Sequence, residues 1–156
     1  MSGSWRPAGP EDAYALMVLE RDANLVALAH VFPADRHPFP EDAVLARWAL
    51  VLDDPEVTVE VVDGDRGLLA YAAWDHRTLR HLAVHPDAWR SGLGRAGADR
   101  AVAAIRAGGG APHLWCLVEN SRARGLYTHL GWVPTGVTRE AEWPPHPIEM
   151  EYVHRS

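Results

Sequence analysis

Between Thr78 and Val118 the sequence spells out one structural unit. Thr78–Val84 reads as a strand, and Pro86 and Gly92 bracket a loop. Leu93, Ala96, Gly97, Arg100, Ala101 and Ala104 then keep helical spacing until Gly108-Gly109-Gly110 stops the helix. His113–Val118 reads as a strand again. Strand, glycine loop, helix and strand in so short a span commit the chain to a mixed α/β layer architecture.

The flanking segments extend that pattern. Gly9-Pro10-Glu11-Asp12 starts a helix with acidic residues in its first turn, and the helix is expected from about Glu11 to His30. Residues 33–40 hold three prolines and form a loop, after which Pro40, Glu41 and Asp42 open a second helix. Val44, Leu45, Trp48, Val51 and Leu52 share one face of it. Val57, Val59 and Val61 alternate with polar residues, Asp63-Gly64-Asp65 turns the chain, and Leu68–Trp74 returns, giving with Thr78–Val84 a three-stranded antiparallel meander. After the βαβ unit, Asn120 caps a short helix ending near Leu130 with Gly131 at its C′ position. Trp132–Val137 and Ile148–His154 are the last two strands, joined by a loop carrying Pro144, Pro145 and Pro147. The expected fold is one domain over residues 1–156: a central, mostly antiparallel twisted sheet of six to seven strands with helices on both faces.

Composition narrows the chemistry. All 15 basic residues are arginine, so Schiff-base lysine chemistry and a P-loop lysine are excluded. The single cysteine, Cys116, excludes an intrachain disulfide and a paired-cysteine zinc framework, and it fits a reducing compartment. The start of the chain has no apolar run of the signal-peptide kind, and no stretch is apolar for ~18 residues. A cytoplasmic protein without metal or membrane contact is expected. The net charge of −6 is uneven: residues 76–125 hold 8 Arg against 3 acidic residues, whereas the segments on either side are acidic. One basic segment in an acidic chain points to a local anionic ligand, not a nucleic-acid surface, with solvated arginines on helix faces as the plain alternative.

Two motifs carry chemistry. In Trp89-Arg90-Ser91-Gly92-Leu93-Gly94-Arg95 a strand exit runs through two glycines into a helix. Glycine permits close approach, and the free N–H groups of a helix N-terminus favour an anion such as a pyrophosphate. The dinucleotide fingerprint is not met: Gly97 stands three residues after Gly94, but it leads to no acidic partner at the end of a following strand. Downstream, Asn120-Ser121-Arg122-Ala123-Arg124-Gly125-Leu126-Tyr127 continues to Gly131-Trp132.

Together these segments resemble the GNAT-type N-acetyltransferases. Trp89-Arg90-Ser91-Gly92-Leu93-Gly94 is similar to their Gln/Arg-x-x-Gly-x-Gly/Ala loop except at Trp89. Asn120, Ala123, Leu126, Tyr127 and Gly131 match the pattern Asn-x-x-Ala-x-x-Leu-Tyr-x-x-x-Gly-Phe, with Trp132 in place of Phe. The resemblance implies acetyl-CoA as acetyl donor. It implies that the backbone of Leu82, Ala83 and Val84 pairs with the pantetheine arm, and that Trp89, Arg90, Ser91, Gly92, Leu93, Gly94 and Arg95 form the pyrophosphate cradle. Asn120 would contact pantetheine near the thiol, Arg122 would join the cofactor site, and Tyr127 would act as general acid on the leaving thiolate.

The base is not given by the motifs. Counting back from Val84 by twos puts Leu82, Arg80 and Thr78 on the acceptor face and His81 on the opposite face unless a bulge re-aims it. The other position where relatives place a base corresponds to Trp115. Asp75, His85, Glu119, Glu142, His146 or a water chain are the remaining candidates. The resemblance places the acceptor between the loop after the first helix, with Phe32, and the last interstrand loop, with Glu142 and Trp143; Arg80 is a candidate for an anionic group of the acceptor. A small-molecule or peptide amine is the expected acceptor, with a homodimer allowed. A non-catalytic acetyl-CoA sensor and an acetyltransferase for protein N-termini or lysines are the alternatives.

Overall fold

A computed structural model describes residues 4–155; positions 1–3 and 156 of the expected domain lie outside the described residues. Seven strands form one sheet in the order β1-β2-β3-β4-β5-β7-β6. They are β1 Trp5–Pro7, β2 Thr58–Gly64, β3 Gly67–Trp74, β4 Thr78–Val84, β5 His113–Leu117, β6 Trp132–Glu140 and β7 Ile148–His154. Every neighbouring pair is antiparallel except β4 and β5. The helices are α1 Ala13–Ala27, α2 Glu41–Asp53, α3 Leu93–Ala107 and α4 Ser121–His129.

The mixed sheet with helices on both faces is as expected. One core lies under α1 and α2, where Leu16, Leu19, Val44 and Trp48 meet Val59, Val61 and Tyr71. The other lies under α3 and α4, where Ala98, Ala101, Ile105 and Tyr127 meet Leu79, Leu114, Trp132 and Tyr152. Small residues on α3 let it sit close to the sheet: a Cβ built on Gly97 would lie 2.7 Å from Leu82 Cδ1 and 3.0 Å from the Trp5 ring.

Two sequence expectations change. The first helix is shorter than Glu11–His30: a 3-10 turn covers Pro10–Asp12 and α1 ends at Ala27. The chain also begins with β1, which the sequence reading left out. β1 adds to the edge of β2, and Arg6 holds it there with ion pairs to Asp12 at 3.0 Å and Asp63 at 2.6 Å. With β1 in place, Thr78–Val84 is the fourth strand.

Two irregularities in β4 shape the site. β4 and β5 pair only at Thr78↔His113 and Leu79↔Leu114, so the strands separate beyond Leu79. Against β3, Ala73 pairs with His81 but Trp74 pairs with Leu79, leaving Arg80 as an extra residue in a bulge.

Candidate active site

The separation of β4 from β5 opens a groove of about 460 Å³, running from the loop before α3 to Tyr127. His85 N–H donates to Leu69 O of β3 at 2.7 Å. Alternation then turns the amide groups of Leu82 and Val84 away from β3 and into the gap. Gly92 sits at φ 89°, a left-handed conformation that glycine adopts without cost, and starts α3 with no side-chain cap. The first-turn N–H groups of α3 therefore face the groove without an intrahelical partner. A Cβ on Gly94 would lie 3.3 Å from Leu126 Cδ2, so this glycine lets α3 approach α4 closely.

Arg90, Arg95 and Arg122 line the same groove, and among the described residues none of them joins an ion pair. The Arg122 guanidinium lies 3.6 Å from the centroid of the Trp89 ring, and burial followed by repulsion from Arg90 lowers its pKa. Three cations crowded without carboxylates, beside uncapped helix amides, fit a multiply charged phosphate ligand. The Trp89 indole N–H donates to Val84 O at 2.8 Å, so that carbonyl already has a partner. Arg124, by contrast, is structural: it donates to Tyr152 Oη and Val118 O, tying α4 to the sheet.

Of the residues expected to bind the cofactor, Leu82, Ala83, Val84, Trp89, Arg90, Gly92, Leu93, Gly94, Arg95, Asn120, Arg122 and Tyr127 all line this groove. Ser91 does not; it is exposed, on the outside of the turn. Asn120 caps α4, its Oδ1 accepting from Ala123 N–H at 3.2 Å, which leaves its amide NH₂ free to point elsewhere.

A second cleft continues on the α1–α2 side and shares Asn24, Leu82, Ala83, Asn120 and Tyr127 with the groove. Arg80, Phe32, Glu142 and Trp143, the expected acceptor-side residues, all line it. The face assignment is corrected by β4 itself, which alternates regularly from Val84 to His81. Val84 and Leu82 pack toward α3, whereas Ala83 and His81 face α1 and α2, the His81 ring 5.0 Å from Trp48. The bulge at Arg80 breaks the alternation only beyond them. Burial, then the charges of Arg47 and Arg80, push the His81 imidazole down to about 3, so it is neutral at physiological pH.

The other expected bases are accounted for. Asp75 Oδ1 accepts from the Arg77 and Thr78 N–H groups and Oδ2 from Arg80 Nε at 2.7 Å; although burial opposes it, these bonds keep the Asp75 pKa low. His85 Nδ1 accepts from Asp87 N–H and holds the turn. Glu119 and His146 lie outside the cleft, and Glu142 is at its exposed rim. Trp115 does face the cleft, with the Arg139 guanidinium 3.9 Å from its ring centroid.

Sequence reasoning missed the ion pair of Glu20 with Arg47, which crosses from α1 to α2 and lines the cleft. Trp48 Nε1 also donates to Glu20 at 2.9 Å. Tyr127 is buried at the junction of groove and cleft. Burial and the nearby Cys116 raise its pKa, and burial pushes the Cys116 thiol up to about 12, so both keep their protons.

The comparisons agree with this geometry. The model of the acetyltransferase (GNAT) family matches residues 5–132. A mycothiol acetyltransferase from Beutenbergia cavernae is 44% identical over 82 residues, 48% of this chain and 27% of that protein, so the match spans about a quarter of the relative's length. YjaB from Escherichia coli, solved in its apo form, superimposes with a TM-score of 0.78 at 18% identity, covering 99% of this chain and 98% of that one. A GCN5-related N-acetyltransferase from Rhodopseudomonas palustris gives 0.80 at 14% identity, covering 100% and 97%. PaiA N-acetyltransferase from Thermoplasma acidophilum, solved with coenzyme A, gives 0.69 at 15% identity, covering 97% and 98%. The chain belongs to the GNAT acetyltransferase family, acyltransferases whose donor is acetyl-CoA.

Proposed function

We propose that residues 1–156 form a single-domain N-acetyltransferase that acetylates a primary amine of a small molecule, with Tyr127 as general acid. The observation that carries this reading is the continuity of one passage. It leads from an arginine-lined helix N-terminus, through the gap between β4 and β5, to a buried phenol and on to a second cleft. Acetyl-CoA supplies a thioester already activated toward amines. The protein's task is then mostly positioning.

Each residue has a role in that task. Arg90, Arg95 and Arg122, with the amides of Gly92, Leu93, Gly94 and Arg95, hold the pyrophosphate. Trp89 is the platform on which Arg122 stacks, and Ser91 shapes the turn without touching the donor. The backbone at Leu82, Ala83 and Val84 lies along the pantetheine, and the Val84 N–H is placed to polarise the thioester carbonyl. Asn120 uses its free NH₂ near the thiol. The amine nitrogen would attack the thioester carbon to give a tetrahedral adduct. As the C–S bond breaks, Tyr127 gives its proton to the departing sulfur, and the proton that the nitrogen sheds on becoming an amide returns to the Tyr127 oxygen. Neutral His81 accepts a hydrogen bond from the amine and orients its lone pair. With so low a pKa it does not draw a proton from a free ammonium, so the amine arrives neutral.

Phe32 and Trp143 narrow the acceptor cleft, which favours a small molecule over a protein chain; Arg80, held by Asp75, and Glu142 stand at its sides. The reading places the enzyme in the cytoplasm, where buried Cys116 stays a thiol, and it allows a homodimer across the edge strand β6. Thiol release from acetyl-CoA with a panel of amines tests it. Amine-dependent release supports the enzyme, whereas coenzyme A binding without turnover of any amine moves the chain to the sensor reading.

A further inference from the structure

Resting on that reading, we infer that the acceptor is a primary amine carried on an uncharged, apolar body about the size of an aromatic ring. A cavity of about 360 Å³ lies beyond the acceptor cleft, between α1, the 33–40 loop and the loop joining β6 to β7. Phe32, Phe39 and Trp143 supply aromatic walls, and Pro38, Pro40 and Val44 complete an apolar lining. A volume in this range is typical of small-molecule pockets. Glu20, Asn24, Phe32 and Trp143 line both this cavity and the cleft that reaches Tyr127, so a molecule seated in the cavity extends directly toward the reacting end.

The charges say what the body is not. A polyamine needs an unpaired carboxylate for its second ammonium. Here Glu20 is paired with Arg47, Asp75 with Arg80, and Glu149 with Arg139. The remaining acid of the cleft, Glu142, is exposed at its rim. Arg36 lies along the cavity itself and repels a second cation. The amine end meets the polar neck at Glu20 and Asn24, while the body meets mostly apolar side chains and rings, with Arg36 and His37 the polar exceptions on the 33–40 loop. Burying that body supplies the affinity, and the paired charges supply none for a polar substrate.

The test compares 2-phenylethylamine, ethylamine, spermidine and a short peptide with a free N-terminus, measuring kcat/KM by thiol release. The expected ranking puts 2-phenylethylamine at least ~10-fold above each of the others, since burying an apolar ring contributes that much or more. Phe39→Ala should remove most of this preference through KM and leave the thermal shift with coenzyme A unchanged. Trp143→Ala repeats the test from the opposite wall; Phe39 and Trp143 both also touch the α1–α2 core, so the melting temperature of each variant without ligand is measured alongside. Faster turnover of spermidine or the peptide overturns the inference while leaving the acetyltransferase intact, as does a preference that survives both variants. If no amine is turned over, calorimetry of 2-phenylethylamine on the coenzyme A-loaded protein decides. Binding weakened by Phe39→Ala supports the pocket, and absence of binding overturns it. Failure of the acetyltransferase reading itself shows separately, as no shift with coenzyme A.

Discussion

At the scale of single residues, Tyr127 and His81 divide the chemistry by their surroundings. Tyr127 is buried and keeps its proton, so Tyr127→Phe removes one hydroxyl and leaves the packing against Trp132 in place. The expected result is a turnover number lower by ~10²–10⁴-fold with acetyl-CoA affinity nearly unchanged, read from steady-state kinetics and a binding titration. His81 makes a separate prediction. Its pKa falls from 6.5 when unfolded to about 3 when folded, so below pH 6.5 the unfolded chain binds a proton that the folded chain refuses. Stability from neutral His81 is complete above that value and declines as pH falls toward 3. Two pH units below 6.5 the loss is on the order of 3 kcal/mol. Urea unfolding at pH 7 and pH 4.5 should show a smaller acid loss for His81→Leu than for the parent chain. Tyr127 and Asn120 were legible in the sequence because a capped helix fixes both locally. His81 was not, because alternation sorts the side chains of β4 into two faces without saying which face meets α2: His81 and Ala83 do, whereas Val84 and Leu82 meet α3. The Glu20–Arg47 pair was hidden for a related reason: its partners are far apart in sequence and meet only when α1 packs on α2.

At the scale of elements, the start of α3 and the cap of α4 carry separable loads. Gly94→Val drives carbon into Leu126 and should cost about 1–3 kcal/mol by overpacking. It also shifts α3 off the groove, so the coenzyme A-induced rise in melting temperature should vanish while far-UV circular dichroism stays native. Asn120→Ala removes the acceptor of the Ala123 N–H and should cost ~1 kcal/mol in thermal or urea unfolding. Element boundaries were readable where glycine, proline or a cap marks them. β4 and β7 match the expected limits, and Gly131, at φ 93°, ends α4 as a left-handed C′ residue. β1 escaped because three residues ending in Pro7 have no periodicity of their own; Val62, Val61 and Glu60 of β2 define that strand by pairing with it.

At the scale of the whole molecule, a ligand that touches β4, α3 and α4 together should stabilise all of them. Coenzyme A at ~100 times its dissociation constant should raise unfolding free energy by roughly 2.7 kcal/mol. A thermal-shift series should rank coenzyme A above dephospho-coenzyme A and both above NAD, which has a pyrophosphate but no pantetheine. Equal shifts with all three would remove the groove from cofactor recognition. The parting of β4 from β5 reaches further than the groove. Only Thr78 and Leu79 join the two strands, so the sheet has a seam that splits the chain into β1–β4 and β5–β7 halves. Amide hydrogens of Leu82 and Val84 face that seam and should exchange with deuterium quickly, unlike those bonded between β3 and β4. Pantetheine lying along the seam would act as a missing rung, slowing those two amides in proportion to occupancy and turning two flexibly joined half-sheets into one continuous one.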